Sequence, residues 1–79
     1  MKGTNMKEIK ELTAIIEKEG DGYVALCPEL DVASEGDTIE EARANLIEAL
    51  ELFYETASNE EIQQRFHEEV LVTRVQVNI

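Results

Sequence analysis

Apolar and polar residues alternate in the first part of the chain, which is the period of a β-strand. The alternation runs through residues 9–18, and a second apolar run covers residues 23–27. Between the two runs lies the sequence Glu-Gly-Asp-Gly (residues 19–22), whose glycines tolerate positive φ. We therefore predict a β-hairpin here. Pro28 ends its second strand because proline cannot donate a ladder hydrogen bond, and residues 31–35 predict a short third strand.

The spacing of apolar residues changes to three and four after Thr38, which predicts an amphipathic α-helix of roughly five turns. Thr38 stands three residues before Glu41, the spacing of a capping box. We expect the Thr38 hydroxyl to accept from the Glu41 amide, and the Glu41 carboxylate to accept from the Thr38 amide. The apolar stripe of this helix consists of Ile39, Ala42, Leu46, Ala49, Leu50, Phe53 and Ala57. Ile47, Leu52 and Tyr54 widen it beyond what one small sheet covers, so we predict an oligomer interface at these three residues.

Residues 58–66 predict a further turn or two of helix, and residues 70–79 predict a last strand with one polar side, which carries Arg74, Gln76 and Asn78. One face of this last predicted strand carries Leu71, Thr73, Val75, Val77 and Ile79. The predicted order is therefore β-β-β-α-β, with a short extra helix before the last strand. Its fold class is α+β, with one long helix on one face of an antiparallel-rich sheet.

The chain has 79 residues, which is enough for one domain, and a formal net charge of −11. We expect residues 1–6 to form a flexible N-terminal extension and residues 7–79 to form a single domain. The seven cationic residues are scattered, so we expect no direct binding to nucleic acid, which needs clustered Lys and Arg. A basic protein partner would be attracted instead. No signal peptide or membrane span is evident, and the expected location is cytoplasmic.

Candidate chemistry is sparse. Cys27 and His67 are the sole cysteine and histidine and lie far apart in sequence, so neither a nucleophile–base pair nor a metal cluster is indicated. We therefore predict no catalytic, metal or cofactor-binding residues and no enzymatic activity. Four carboxylates surround the third predicted strand, and we expect them to form a solvated, partner-binding edge rather than a Ca²⁺ or Mg²⁺ site: Glu29, Asp31, Glu35 and Asp37.

Three short motifs follow one another within residues 22–53. They are Tyr-x-Ala at residues 23–25, Pro-Glu-Leu at residues 28–30, and Gly-Asp-Thr-x-x-Glu-Ala at residues 36–42. Together they resemble the core of the HicB family of antitoxins and their stand-alone relatives. The sequence TRVQVNI of residues 73–79 resembles the last strand of that family.

The resemblance implies a degenerate RNase H-like α+β domain that is cytoplasmic and oligomeric. It also implies a type II toxin–antitoxin system, in which the chain binds and neutralises a small basic RNA-cleaving toxin. Full-length antitoxins of the family continue into a DNA-binding segment, which the sequence does not show after Ile79, so we expect no promoter binding. The alternative function is a stand-alone homo-oligomer of the same fold with a different partner.

Overall fold

The computed structural model describes residues 10–79, so the extension predicted at residues 1–6 lies outside the described part. This part folds as an α+β unit with a three-stranded antiparallel sheet and two helices. In chain order its elements are β1 (Ile15–Glu19), β2 (Gly22–Cys27), β3 (Val32–Gly36), α1 (Ile39–Thr56) and α2 (Asn59–Arg65).

Two tight turns connect the three strands in the order β1-β2-β3. The first turn consists of Gly20 and Asp21, and only Gly20 has a positive φ (61°), which is the pattern of a type II′ hairpin turn. The predicted hairpin is therefore confirmed. The second turn ends at Asp31, whose φ of 57° is unusual for a residue other than glycine but tolerated by a short Asp side chain.

Side-chain capping fixes the start of both helices. The Thr38 hydroxyl accepts from the Glu41 amide at 3.0 Å, and the Ser58 hydroxyl accepts from the Glu61 amide at 3.1 Å. The second bond of the predicted capping box was expected from the Thr38 amide, and this prediction is wrong by one residue. The Glu41 carboxylate accepts from the amide of Asp37, at 2.6 Å. The preceding amide is still an unpaired donor at the positive end of the helix, so the carboxylate is stabilised there as well.

The core lies between α1 and one face of the sheet. Its buried residues are Ala25, Cys27, Leu30, Ala42 and Leu46. Leu30 comes from the β2–β3 turn, a position that sequence periodicity identifies only as a connection, yet its side chain is fully buried. Partly buried side chains complete the cluster, among them Leu12, Ile16, Leu50, Phe53 and Phe66.

The first turn of α1 packs very closely on the end of β3, because Gly36 has no side chain. A Cβ atom at Gly36 would lie 2.5 Å from the Ala42 amide nitrogen. Across the same sheet, a Cβ atom at Gly22 would lie 2.8 Å from the Gly36 carbonyl oxygen. Two glycines therefore allow the sheet and the helix start to approach within backbone contact.

The helix α1 is placed asymmetrically over the sheet. It packs mainly against β3, less against β2 and least against β1. Because β3 is an edge strand, α1 lies over one side of the sheet rather than over its centre.

The predicted last strand is wrong as a strand of this chain, because residues 66–79 contain neither helix nor strand. Their apolar side chains are exposed, including Leu71 (83%) and Val75 (79%). The long dimension of the molecule is 58 Å, about twice the roughly 27 Å length of an 18-residue helix such as α1. Alternation specifies a segment able to form a strand, but ladder hydrogen bonds also require a partner edge. In the described structure these residues pair with neither edge of the sheet.

Candidate functional site

The four carboxylates predicted to bind a partner do not form one patch. Glu29 and Asp31 lie in the turn before β3, whereas Glu35 and Asp37 lie at its far end. The rise of about 3.3 Å per strand residue separates the two pairs by roughly 13 Å. Glu35 and Asp37 are exposed, and Glu29 is half-buried.

The Glu29 carboxylate stabilises the fold through hydrogen bonds to other parts of the chain. It accepts from the Thr13 hydroxyl at 2.6 Å and from the Thr13 amide at 3.0 Å, and the Cys27 thiol donates to it at 3.4 Å. Burial disfavours the charged form, but the hydrogen bonds from Thr13 outweigh it, so the pKa of Glu29 lies below its ordinary value. This carboxylate joins the segment before β1 to the β2–β3 turn, which leaves it little capacity for a partner.

An arginine side chain of α2 holds the β2–β3 turn, which contains Asp31. The Arg65 guanidinium donates to the carbonyl of Leu30 at 3.0 Å and to the carbonyl of Asp31 at 3.1 Å. The same guanidinium lies 5.1 Å from the centre of the Phe53 ring, a cation–π contact. The His67 amide donates to the Glu29 carbonyl at 2.7 Å, which fixes where the chain leaves α2.

The sheet face opposite α1 is apolar at its centre and acidic at its margin. Since successive strand residues point to opposite faces, the pairing of Ile15 with Leu26 and of Glu17 with Val24 places all four on this open face. Ala33 pairs with Leu26 and joins the same face. Neither described helix packs here. The margin carries Glu17, Glu19 and Glu35.

A shallow depression of about 330 Å³ lies at one end of this face. Its carboxylates are Glu19, Glu35 and Asp37, above the backbone of Gly22 and Gly36. The structure thus combines two of the predicted residues with Glu19, which sequence reasoning missed. The register of the strands explains why Glu19 lies there. Glu19 of β1 pairs with Gly22 of β2, and the next residue of β2, Tyr23, pairs with Gly36 of β3.

The predicted oligomer interface is divided between two flanks of α1. Leu52 lies on the flank that shares a groove with Ser34 of β3, beside Asn45 and Ala49. At 100° per residue, Ile47 and Tyr54 lie on the opposite flank. Ile47 is exposed, but Tyr54 packs against the core and against the edge of the Phe53 ring.

Cys27 is fully buried in the core. Burial raises the pKa of the Cys27 thiol, and the neighbouring Glu29 carboxylate raises this pKa further. Within residues 10–79, no group of three or more His, Cys, Asp or Glu residues is placed to hold a metal ion. None of the helices in the same range has the length and apolar character that crossing a membrane requires.

Two proteins of Synechocystis sp. are similar to this chain. The UPF0150 protein ssr1765 is 50% identical over 52 residues, which cover 63% of this chain and 66% of that protein, just under two thirds of its length. The UPF0150 protein ssl0738 is 48% identical over 63 residues, which cover 77% of this chain and 86% of that protein. No family model matches the chain, and no solved structure matches it. At this identity and coverage, the chain belongs to the UPF0150 family.

Proposed function

We propose that this chain is an antitoxin-like, non-enzymatic protein of the HicB type that binds and neutralises a small, basic, RNA-cleaving toxin in the cytoplasm. The proposal includes the finer fold assignment, a degenerate RNase H-like domain. It draws on the motif resemblance and on one structural observation: the open sheet face, which is apolar at its centre and carries carboxylates on both edge strands.

The chemistry of this face suits a cationic protein partner. Its centre offers Ile15, Val24 and Leu26 for apolar contact, and protein interfaces commonly have such an apolar centre inside a polar rim. Its rim offers Glu17, Glu19 and Glu35. The net charge of −11 would attract a basic partner over a longer range and orient it before contact.

The test is co-expression with the product of the neighbouring gene, read as rescue of growth and as co-purification. A variant that changes Glu17, Glu19 and Glu35 to Lys should lose rescue and co-purification. A control variant that changes Glu60, Glu68 and Glu69 to Lys alters the net charge equally, but these exposed residues lie outside the sheet. The control should retain both properties.

Equal loss in both triple variants would show that only net charge matters and would remove the open face as the docking surface. Failure of the unchanged protein to rescue growth or to co-purify would overturn the antitoxin proposal itself. Charge reversal at Glu29 is left out, because that carboxylate supports the fold.

The alternative is a stand-alone homo-oligomer with a different partner. It is favoured by a separate observation, the exposed apolar side chains of residues 71–79. Light scattering of the purified protein alone tests it, and a monomer at micromolar concentration would contradict it.

A further inference from the structure

Residues 70–79, called the tail here, have the composition of a strand that belongs in an interface. Polar and apolar residues alternate over residues 74–79, and one face of the tail carries Leu71, Thr73, Val75, Val77 and Ile79. These apolar residues are exposed, with Val77 at 70%. All 18 acidic residues of the chain precede the tail, whose only charged side chain is Arg74. A cationic, apolar segment on so acidic a protein is complementary to the rest of the same chain.

The outer edge of β3 is a place where the tail of a second copy could pair as a strand. In the described structure no strand lies along the outer edge of β3, and α1 packs mainly against this strand. A strand added there would lie beside the flank of α1 that carries Asn45, Ala49 and Leu52 and shares a groove with Ser34 of β3. The Glu35 carbonyl accepts from the Asn45 side-chain amide at 2.8 Å, and a carbonyl oxygen has a second lone pair with which it can accept from an added strand.

A groove of about 480 Å³ marks this position. Its floor includes Ser34 of β3, with Ala49 and Leu52 of α1, and Leu52 is 59% exposed. Its rim includes Glu48 and Glu51. The apolar side chains of this groove suit the apolar face of the tail, and Glu35, on the open face beside the same edge, suits Arg74.

We propose that the tail of one chain adds as a fourth strand to the β3 edge of a second copy, and that the second copy returns its own tail in the same way. The apolar face of each tail then packs under α1 against Ala49 and Leu52. Its polar face, with Arg74, lies on the open side of the sheet beside Glu35. The exchange is a two-fold symmetric contact made twice, so both tails are buried at once.

The first experiment measures the mass of the intact protein by light scattering and sedimentation. The unchanged chain, of 8.9 kDa, should be a dimer. Changing Val75 and Val77 to Glu places two charges on the apolar face of the tail, and we expect the dimer dissociation constant to rise by about 100-fold or more. The matched control changes Gln76 and Asn78 to Glu, which adds the same charge to the polar face. It should remain dimeric.

The acceptor groove is tested separately by a second pair of variants. Leu52→Glu places a charge in the groove and should dissociate the dimer. Ile47→Glu places the same charge at an exposed position on the opposite flank of α1 and should leave it intact. Protection of the buried Cys27 from a thiol reagent shows that each variant is folded.

Mixing the two defective proteins gives the decisive result. The V75E/V77E variant keeps its groove and the L52E variant keeps its tail, so one of the two contacts can form between them. We expect a heterodimer in the mixture while each variant alone is monomeric. A monomeric unchanged protein overturns the proposal, as does a dimer that survives both V75E/V77E and L52E, because that dimer uses another surface. Two monomeric variants that fail to associate also overturn it.

Discussion

The Glu29 carboxylate, in the turn between β2 and β3, accepts hydrogen bonds from a segment much earlier in the chain. Its oxygens accept from the Thr13 hydroxyl at 2.6 Å and share the Thr13 amide at 3.0 and 3.1 Å. Thr13 lies sixteen residues earlier in the chain. The contact joins two segments that the chain connects only through the β1–β2 hairpin, and it therefore stabilises the fold.

We predict that Glu29→Gln destabilises the protein at neutral pH by about 1 kcal/mol, the low end for a hydrogen-bonded charge because the site is half-exposed. The pKa of Glu29 is lower in the folded than in the unfolded protein. The stabilisation is therefore full above the unfolded value of about 4.3 and disappears as the pH falls through the folded pKa. Urea unfolding across the acid range should show the two proteins converging below pH about 4.3. A constant difference at every pH would contradict the charged hydrogen bond. Glu17→Gln, on an exposed strand position, is the control.

The Tyr54 hydroxyl differs from the Glu29 carboxylate, because it does not stabilise the fold through a hydrogen bond. This hydroxyl is buried and has no hydrogen-bond partner among residues 10–79, and burial raises the pKa of Tyr54. An unsatisfied buried hydroxyl costs free energy, and removing it relieves this cost. We predict that Tyr54→Phe leaves the free energy of unfolding unchanged or raises it by up to about 1 kcal/mol. Thermal unfolding measures this, and a clear loss of stability would mean that the hydroxyl has a partner.

At the scale of elements, the contact between the end of β3 and the first turn of α1 depends on Gly36. The capping residues Thr38 and Glu41 start the helix in the correct place, but only a residue without a side chain lets the strand end so close to it. The length of the β3–α1 connection and the capping of α1 depend on neighbouring residues. The distance between the end of β3 and the first turn of α1 depends on how the strand and the helix pack.

We predict that Gly36→Ala destabilises the protein by about 1–3 kcal/mol, because its Cβ atom would overlap the Ala42 backbone and force β3 and α1 apart. The loss should exceed the gain of about 0.4–1 kcal/mol that replacing glycine brings through the unfolded state. Denaturant unfolding measures the difference. Glu35→Ala, at the adjacent exposed position, should change stability by less than about 0.5 kcal/mol. Equal stability of Gly36→Ala and the unchanged protein would contradict the close approach.

At the scale of the whole molecule, a small core carries a large excess of negative charge. Five residues of the described part are buried, while the chain as a whole has a net charge of −11. Repulsion among like charges opposes the compact state, and a core of this size offsets it only modestly.

We predict that the melting temperature rises as NaCl is increased from low to physiological concentration, because the screening length shortens from about 30 Å to about 8 Å. A variant that changes Glu60, Glu68 and Glu69 to Gln has less charge to screen and should show a smaller rise. A melting temperature that falls with salt would instead indicate that attractive ion pairs dominate. Scanning calorimetry at constant pH distinguishes the two outcomes.

The sequence by itself determined the elements whose causes are local. The Gly-Asp turn set the β1–β2 hairpin, Thr38 and Ser58 set the two helix starts, and apolar spacing set the buried side of α1. Each of these depends on residues within a few positions of one another, so the pattern carries the information. The sequence pattern named Glu35 and Asp37 as candidate docking residues but not Glu19. Glu19 lies beside them only because of the register in which the strands pair.

Only the tertiary structure decided the rest. It buried Leu30 from a turn, paired Glu29 with Thr13, placed Leu52 in a groove beside β3, and left the tail unpaired with any strand of residues 10–79. The physical reason is the same in each case. Burial, hydrogen-bond partners and strand pairing depend on which distant segments meet, and alternation along a chain specifies that a strand can form without specifying the edge that receives it.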